Sequence, residues 1–303
     1  MRNSKLAAIL SSMADANKLI IYHNPLGSLT FDPNITTSKD TTVFWDTEQG
    51  RTITTGTSHA LSYTPTAGPK ICKVTVMGGL GLISAIDCNT DAVTNITIER
   101  VKSPTSLIIY TNSTQITINR IPKTVTYLHI QASGSTGNFL DLPSGLTYLN
   151  SNSTTGLIGN ILAIKNTPLQ TWYGQFNNNI TGVLSDLPAT LQTCHLYSCS
   201  GIDAASVAQL TAARDLRFYN LSFTEEEVDL IIDSIYQAVV ADANHFTYAG
   251  PIVLQIGGTG GTINAAPSGI YQEATPPTTG KEKVYFLNHL ASHAWAIVYN
   301  GGP

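Results

Sequence analysis

Between Val125 and Thr224 one short apolar pattern recurs five times. A fixed period restricts the fold more than composition does, because each unit must bury its apolar side against the next. Apolar or small residues stand at positions one, four and six of each unit, and a small hydrogen-bonding residue stands at nine. The units begin at Val125 (with Leu128 and Ile130), Leu146 (Leu149, Ser151), Leu169 (Trp172, Gly174), Leu191 (Cys194, Leu196) and Leu216 (Tyr219, Leu221), in steps of 21, 23, 22 and 25 residues. Position nine carries Ser133, Thr154, Asn177, Cys199 and Thr224. The chain turns there, so its buried backbone groups need a nearby partner. A second set of positions keeps the same period: Gly137, Gly159 and Gly182, then Leu142-Pro143 and Leu187-Pro188, with Ile121-Pro122 in the same role earlier. Two sets repeating together indicate a solenoid.

The spacing L-x-x-L-x-L-x-x-N and its period are similar to those of leucine-rich repeats, which run at about 20–29 residues. Val93-Ile96-Ile98 and Leu107-Tyr110 read as shorter, irregular members, which extends the solenoid domain over 87–245. Thr224-Glu225-Glu226-Glu227 is a capping box, with three acids at the positive end of a helix dipole. Val228, Ile231, Ile232, Ile235, Tyr236 and Val239 then give one apolar helix face, and this helix is expected to close the array. A β segment over 246–303 is expected to end in a hairpin made of Val284–Leu287 and Trp295–Tyr299.

Ahead of the repeats, residues 18–86 read as short strands, including Leu19–Tyr22, Thr41–Trp45, Ala60–Tyr63 and Ile71–Val76, separated by turns. Val43-Phe44-Trp45-Asp46, Gly50, His59-Ala60-Leu61-Ser62-Tyr63, Ala67-Gly68 and the closing strand together resemble a PKD-type β-sandwich. Here Thr47-Glu48-Gln49-Gly50 replaces the family's Gly-Asp-Gly turn. The resemblance implies a spacer or mount. Residues 1–17 carry Leu6, Ile9, Leu10 and Met13 at helical spacing and read as a docking helix. The apolar run Leu6–Leu10 is too short for a secretory signal.

The tail supplies a further resemblance. Leu254-Gln255-Ile256-Gly257-Gly258, Asn264-Ala265-Ala266-Pro267-Ser268-Gly269 and Pro276-Pro277-Thr278-Thr279-Gly280-Lys281-Glu282 are similar to a segment of leucine-rich-repeat proteins from gut Bacteroidetes and their bacteriophages. Thr259–Ile263 are extra residues relative to that pattern. The resemblance implies a virion protein, capsid- or tail-associated. A bacterial cell-surface or extracellular protein is the alternative.

Charged residues make up 12% of the 303, and the net charge is -4. Nucleic acid is therefore not an expected partner, since phosphate binding needs clustered Lys and Arg. No run of 18 apolar residues exists, so no membrane insertion is expected. The four cysteines, Cys72, Cys88, Cys194 and Cys199, show no metal-ligand spacing and read as buried thiols.

Several sites fail on their chemistry. Gly257-Gly258-Thr259-Gly260-Gly261 lacks dinucleotide-loop spacing, and Gly280-Lys281 has Glu282 where a phosphate loop needs Ser or Thr. His289 and His293 are four apart without the glutamate of a zincin, in a segment read as a loop. Asp46 and Glu48 read as a solvated turn rather than a calcium site. No cofactor, metal site or catalytic residue is expected, and the chain reads as a non-enzyme.

The expected binding face follows from strand geometry, in which positions three, five and seven point away from positions four and six. It comprises Tyr127, His129 and Gln131; Tyr148, Asn150 and Asn152; Thr171, Tyr173 and Gln175; Thr193, His195 and Tyr197; Phe218, Asn220 and Ser222, with no charge among them. Such a face suits a sugar ring or a polar protein surface. The expected partners are other virion proteins, a second copy of the chain in a homo-oligomer, or a host surface glycan or protein.

Overall fold

Period-two burial marks the strands that open the fold. The structure is a computed structural model, and it describes residues 18–23, 31–62, 64–65, 69–88, 93–98, 101–109, 116–131, 135–257, 263–290 and 295–300. The expected docking helix and Ser133 lie outside those residues. The chain is mainly β and divides into two units, Met1–Gly137 with Asp141–Gly145, and Asn138–Leu140 with Leu146–Pro303.

In the first unit β1 (Leu19–His23), β2 (Asn34–Thr47), β3 (Gly50–Ala60), β4 (Lys70–Val76), β5 (Ile83–Cys88) and β6 (Val93–Ile96) join into one sheet. In β4 the alternate residues Cys72, Val74 and Val76 are buried. β2 is long enough to serve two partners along one edge: Asn34–Thr37 pair with β5, and Val43–Asp46 pair with β4. Its other edge pairs with β3, across a register shift between Thr36 and Thr41. Of the expected strand Ala60–Tyr63, Ala60 ends β3, a strand whose run of Thr and Gly hides its pattern, Leu61 and Ser62 follow outside it, and Tyr63 lies outside the described residues.

The indole of buried Trp45 donates to Thr54 Oγ1 (3.2 Å), and the His59 ring lies 3.1 Å from both Thr54 Oγ1 and Thr37 Oγ1. Burial lowers the His59 pKa, so the ring is neutral at pH 7. The expected turn acids carry ion pairs, Asp46 with Arg51 (2.6 Å) and Glu48 with Lys70 (2.7 Å).

Val93–Ile96 is not a repeat member. It runs antiparallel to β1, held by the Ile20 amide donating to Thr97 Oγ1 (2.9 Å). The parallel repeat instead begins inside β5, where the expected boundary at 86/87 falls. β5, β7 (Ser106–Ile109) and β8 (Tyr127–His129) pair in parallel, with Ile86, Leu107 and Leu128 in register. Leu107 thus holds position four of its coil, and Ile86 extends the period backwards. A 3-10 turn at Ile118–Arg120 leads toward Pro122, and β9 (Thr136–Asn138) starts with a parallel bridge from Thr136 to Thr117.

The second unit stacks β10 (Tyr148–Asn150), β12 (Thr171–Tyr173), β14 (Thr193–His195), β16 (Asp215–Arg217), β17 (Ile252–Gln255) and β18 (Trp295–Val298) in one parallel sheet. Leu149, Trp172, Cys194, Leu216, Leu254 and Ile297 are in register and buried. A second parallel sheet of β11 (Gly156–Asn160), β13 (Ile180–Val183) and β15 (Ile202–Asp203) runs along the same coils. Gly182 of β13 has φ +129, and a Cβ there would sit 2.7 Å from Ile161 Cγ1. The repeated glycine of the sequence is therefore required at this point. After it, 3-10 turns at Ile161–Ile164 and Leu184–Asp186 bury Ile161, Ile164 and Leu184.

One corner fixes the register of the coils. Ser153, Phe176, Ser198 and Asn220 all take left-handed backbone, with φ of 56°, 58°, 58° and 57°. They hold position eight in coils that begin at Leu146, Leu169, Leu191 and Ala213. The fifth coil therefore starts at Ala213, not Leu216, and its step is 22 residues rather than 25. Alignment on leucines misplaces it, because a small Ala fills the inward position while Leu216 holds position four and Phe218 position six.

The array does not stop at the helix. Helix α1 (Glu225–Ala241) has the expected capping box, with the Thr224 amide donating to Glu227 Oε2 (2.8 Å) and the Glu227 amide donating to Thr224 Oγ1 (3.3 Å). It lies in the connection from β16 to β17, which is parallel to β16, so the sheet continues past it. The expected hairpin is also replaced. Residues 284–287 lie within helix α2 (Gly280–Asn288), which a second capping box starts at Thr279 and Glu282. β18 then runs parallel to β17 rather than folding back on it. The helices pack through Tyr236 and Phe286, with ring centroids 5.2 Å apart, and through the Lys283–Asp233 pair at 2.7 Å.

Candidate binding face

The parallel stacking brings side chains of equal position into columns. In the second unit, positions three, five and seven of successive coils give Tyr148, Asn150 and Asn152; Thr171, Tyr173 and Gln175; Thr193, His195 and Tyr197; and, with the corrected register, Asp215, Arg217 and Tyr219. Phe218 is excluded from this face, being fully buried at position six. Asn220 sits at the left-handed corner, and Ser222 (φ 68°) lies beyond it. Three residues that sequence reasoning placed elsewhere thus belong here, Asp215, Arg217 and Tyr219. The signal that finds them is the small-residue start at Ala213.

An aromatic line crosses the columns. Tyr148 meets Tyr173 edge-on at 6.0 Å, Tyr173 meets His195 at 4.8 Å, and Tyr197 stacks on Tyr219 at 4.2 Å with planes 10° apart. Phe176 joins from the corner, edge-on to Tyr197 at 5.2 Å. Burial and a hydrogen bond with Tyr197 push the Tyr219 hydroxyl up to about 12. Asn150 is used internally, its Oδ1 accepting from the Asn152 amide at 3.1 Å.

The face carries charge, contrary to expectation. Arg217 donates to both carboxylate oxygens of Asp215, through Nε and Nη2, each at 3.0 Å. His195 Nε2 lies 3.0 Å from Asp215 Oδ2. Burial lowers the His195 pKa, against the pull of Asp215, so a neutral ring donates Nε2–H to the carboxylate at pH 7. Burial works to raise the Asp215 pKa, but the hydrogen bonds from Arg217 and His195 outweigh it and lower it. The triad is therefore locked in one geometry, with one negative and one positive charge that cancel.

Beneath the face, Cys194 and Cys199 are buried thiols, and burial raises both well above a reactive range, Cys199 to about 11. Gln175 is only 8% exposed, and its Oε1 has no hydrogen-bond partner.

The first unit carries its own part of the expected site. Tyr127 and His129 are half-buried on β8, and His129 Nε2 lies 3.4 Å from Gln131 Oε1. Burial lowers the His129 pKa.

Away from the sheet, a cleft of about 490 Å3 lies between the two helices and the 273–277 loop, lined by Tyr236, Glu273, Pro276, Pro277, Tyr285 and Phe286. Its rings are engaged with one another, as Tyr285 stacks on His289 at 4.1 Å and Tyr236 meets Phe286. His289, read from sequence as part of a loop, ends α2 and lies with Nδ1 2.7 Å from the Tyr285 carbonyl. His293 lies outside the described residues. Among the described residues no helix is long and apolar enough to cross a membrane, and no group of three or more His, Cys, Asp or Glu could hold a metal ion.

No protein-family model, curated protein or solved structure matches this chain.

Proposed function

We propose that the chain is a non-enzymatic, leucine-rich-repeat-like scaffold that presents the sheet face of its second unit to a partner, as a capsid- or tail-associated bacteriophage virion protein. The observation that carries the binding reading is the Tyr173–His195–Tyr197–Tyr219 line beside a neutralised Asp215–Arg217 pair. Amphipathic rings at fixed positions supply contact area at low entropic cost, as interfaces require. The reading as a non-enzyme is supported by the commitment of the Asp215 carboxylate to Arg217 and His195.

The virion setting rests on the likeness of the tail motifs at Asn264–Gly269 and Pro276–Glu282. A glycan- or protein-binding protein of the bacterial cell surface is the second reading, and the half-exposed Phe176 beside Tyr197 favours it.

Immunogold labelling of purified phage particles should decorate them at a fixed location. Labelling confined to the bacterial envelope would replace the first reading with the second. Hydroxyl-radical footprinting tests the face itself. Tyr173, Tyr197 and Tyr219 should be protected in the assembled particle, or on the host envelope, relative to the isolated chain. Equal labelling in both states would remove the face from the function.

A further inference from the structure

We propose that the cleft between α1, α2 and the 273–277 loop binds a protonated alkylamine, taking its ammonium head and its apolar stem. The cleft lies away from the sheet face and is independent of the function read there.

At about 490 Å3 the cleft is of a size that takes a small molecule. Its walls are aromatic and apolar, with Tyr236 from α1, Tyr285 and Phe286 from α2, and the Pro276-Pro277 pair. The rings brace one another, Tyr236 against Phe286 at 5.2 Å and Tyr285 against His289 at 4.1 Å, so the walls are set before a ligand arrives. Such walls shelter an alkyl stem from water, and aromatic ring faces attract a cation.

The polar groups of the lining are acceptors. Glu273 is exposed, and its carboxylate has no partner among the described residues. Tyr236 is only 9% exposed, yet its hydroxyl makes no hydrogen bond among the described residues, and its oxygen is not sealed from solvent. A side chain withdrawn to that extent normally finds a partner, and this one lines the cleft without one. His289 adds a third acceptor. Its Nδ1 lies 2.7 Å from the Tyr285 carbonyl and so carries the proton, which leaves Nε2 to accept in the neutral ring. No Lys or Arg stands among the described residues that line the cleft.

Acceptors without a local cation call for a ligand that donates. An ammonium donates three N–H bonds, whereas a hydroxyl donates one and a carboxylate none. The same unit already holds one ammonium in this way. Lys283 Nζ lies 2.7 Å from Asp233 Oδ1 and 5.8 Å from the centroid of the Tyr236 ring. Lys283 does not line the cleft and Asp233 neutralises it, so it offers little opposition to a second cation.

The test uses the full chain, with saturation-transfer NMR to read binding and thermal melting to read folding. The probes are n-butylamine, cadaverine and Nα-acetyl-lysine methylamide, with n-butanol and butyrate as the same stem carrying no charge or a negative one. The amines should bind with a Kd of roughly millimolar order, n-butanol about tenfold more weakly, and butyrate not at all. Glu273→Gln should weaken amine binding by about tenfold, and Tyr236→Phe, which keeps the ring, by about threefold or more. Both should melt as the native chain does. Glu226→Gln, an acid in the first turn of α1 that does not line the cleft, should leave binding unchanged.

Binding of the lysine derivative alone would support the site and assign its ligand to a protein side chain. Binding of the free amines alone would support it and assign a free amine. Equal affinity for n-butanol and n-butylamine would overturn the proposal, as would unchanged binding in both cleft variants. An equal loss in Glu226→Gln would reduce the attraction to the overall acidity of α1 and overturn it too. So would weakened binding confined to a variant whose Tm has also fallen.

Discussion

The Asn177 carboxamide, fully buried at position nine, donates Nδ2 to the carbonyls of Thr154 (2.7 Å) and Leu157 (3.0 Å) and accepts from the Asn179 amide (3.0 Å). Asn177→Ala removes three hydrogen bonds to the backbone, leaving the Thr154 carbonyl with the Leu157 amide alone, and should cost about 3 kcal/mol, read as a lower urea midpoint at unchanged slope. Gly174 stands at position six for a steric reason. A Cβ there would lie 2.7 Å from the Trp172 indole and 2.9 Å from Leu196 Cδ2. Trp172 in turn donates Nε1 to Ser151 Oγ at 3.2 Å, so two small residues at position six make room for one large residue at four. Gly174→Ala should cost about 1–3 kcal/mol in the native background and much less beside Trp172→Leu. Equal costs in a double-mutant cycle would refute that coupling. His195 gives a pH test. Its folded pKa lies below the ordinary 6.5, so protonation favours the unfolded chain, and its contribution is intact above pH 6.5 and declines as pH falls below it. NMR titration of its ring should give a midpoint under 6.5, and a midpoint above that value would reverse the sign.

At the scale of elements, capping chemistry was legible where periodicity was not. Thr224 and Glu227 announce α1 in the sequence, and the structure keeps both reciprocal bonds. The same box at Thr279 and Glu282 was hidden inside a segment read as turn and strand, because Val284–Leu287 shows alternation over four residues as readily as a helical face. Glu282 accepts from the Thr278 amide (2.9 Å), the Thr279 amide (3.0 Å) and Thr278 Oγ1 (3.0 Å), and donors at this density hold its carboxyl down at about 2. A carboxylate with a depressed folded pKa stabilises above its unfolded value and loses that contribution as pH falls toward 2. Glu282→Gln should therefore weaken the fold at pH 7 and flatten its acid sensitivity between about pH 4.5 and pH 2, as followed by circular dichroism of α2-containing protein. A variant as acid-sensitive as the native chain would count against the cap.

Across the whole molecule, the repeat was legible from Val125 to Cys199, and its ends were not. The period at Ile86 and Leu107 is obscured because β5 serves both the antiparallel sheet and the first parallel pairing. Beyond Phe218 it is obscured because α1 and α2 lengthen the connections to β17 and β18. The face was legible in four coils and wrong in the fifth, where an Ala at the coil start shifted the count by three and hid Asp215, Arg217 and Tyr219. Phe176 escaped notice because its backbone conformation, not its residue type, sets it apart. One consequence is that the chain cannot be shortened at the helix. A truncation after His245, where an array closed by α1 would end, exposes Leu216 and Phe218 by removing β17 and Asn264. It should yield insoluble or partly folded protein in expression trials, whereas a soluble cooperative unfolder would show that α1 closes the array unaided.

The buried Asn264 sharpens this picture. Its Nδ2 donates to the carbonyls of Phe218 (2.7 Å) and Ile256 (2.8 Å), while its Oδ1 accepts from the amides of Leu221 and Phe223. Counting from Pro251, position nine falls at Thr259, and the five extra residues Thr259–Ile263 place Asn264 in that role. Trp172, Asn177, Cys199 and Asn264 share a direction: each buried donor reaches back to a coil earlier in the chain. During synthesis the earlier coil is always the one already released from the ribosome. Each new turn of chain therefore meets finished acceptors, and the molecule can be laid down in the order in which it is translated.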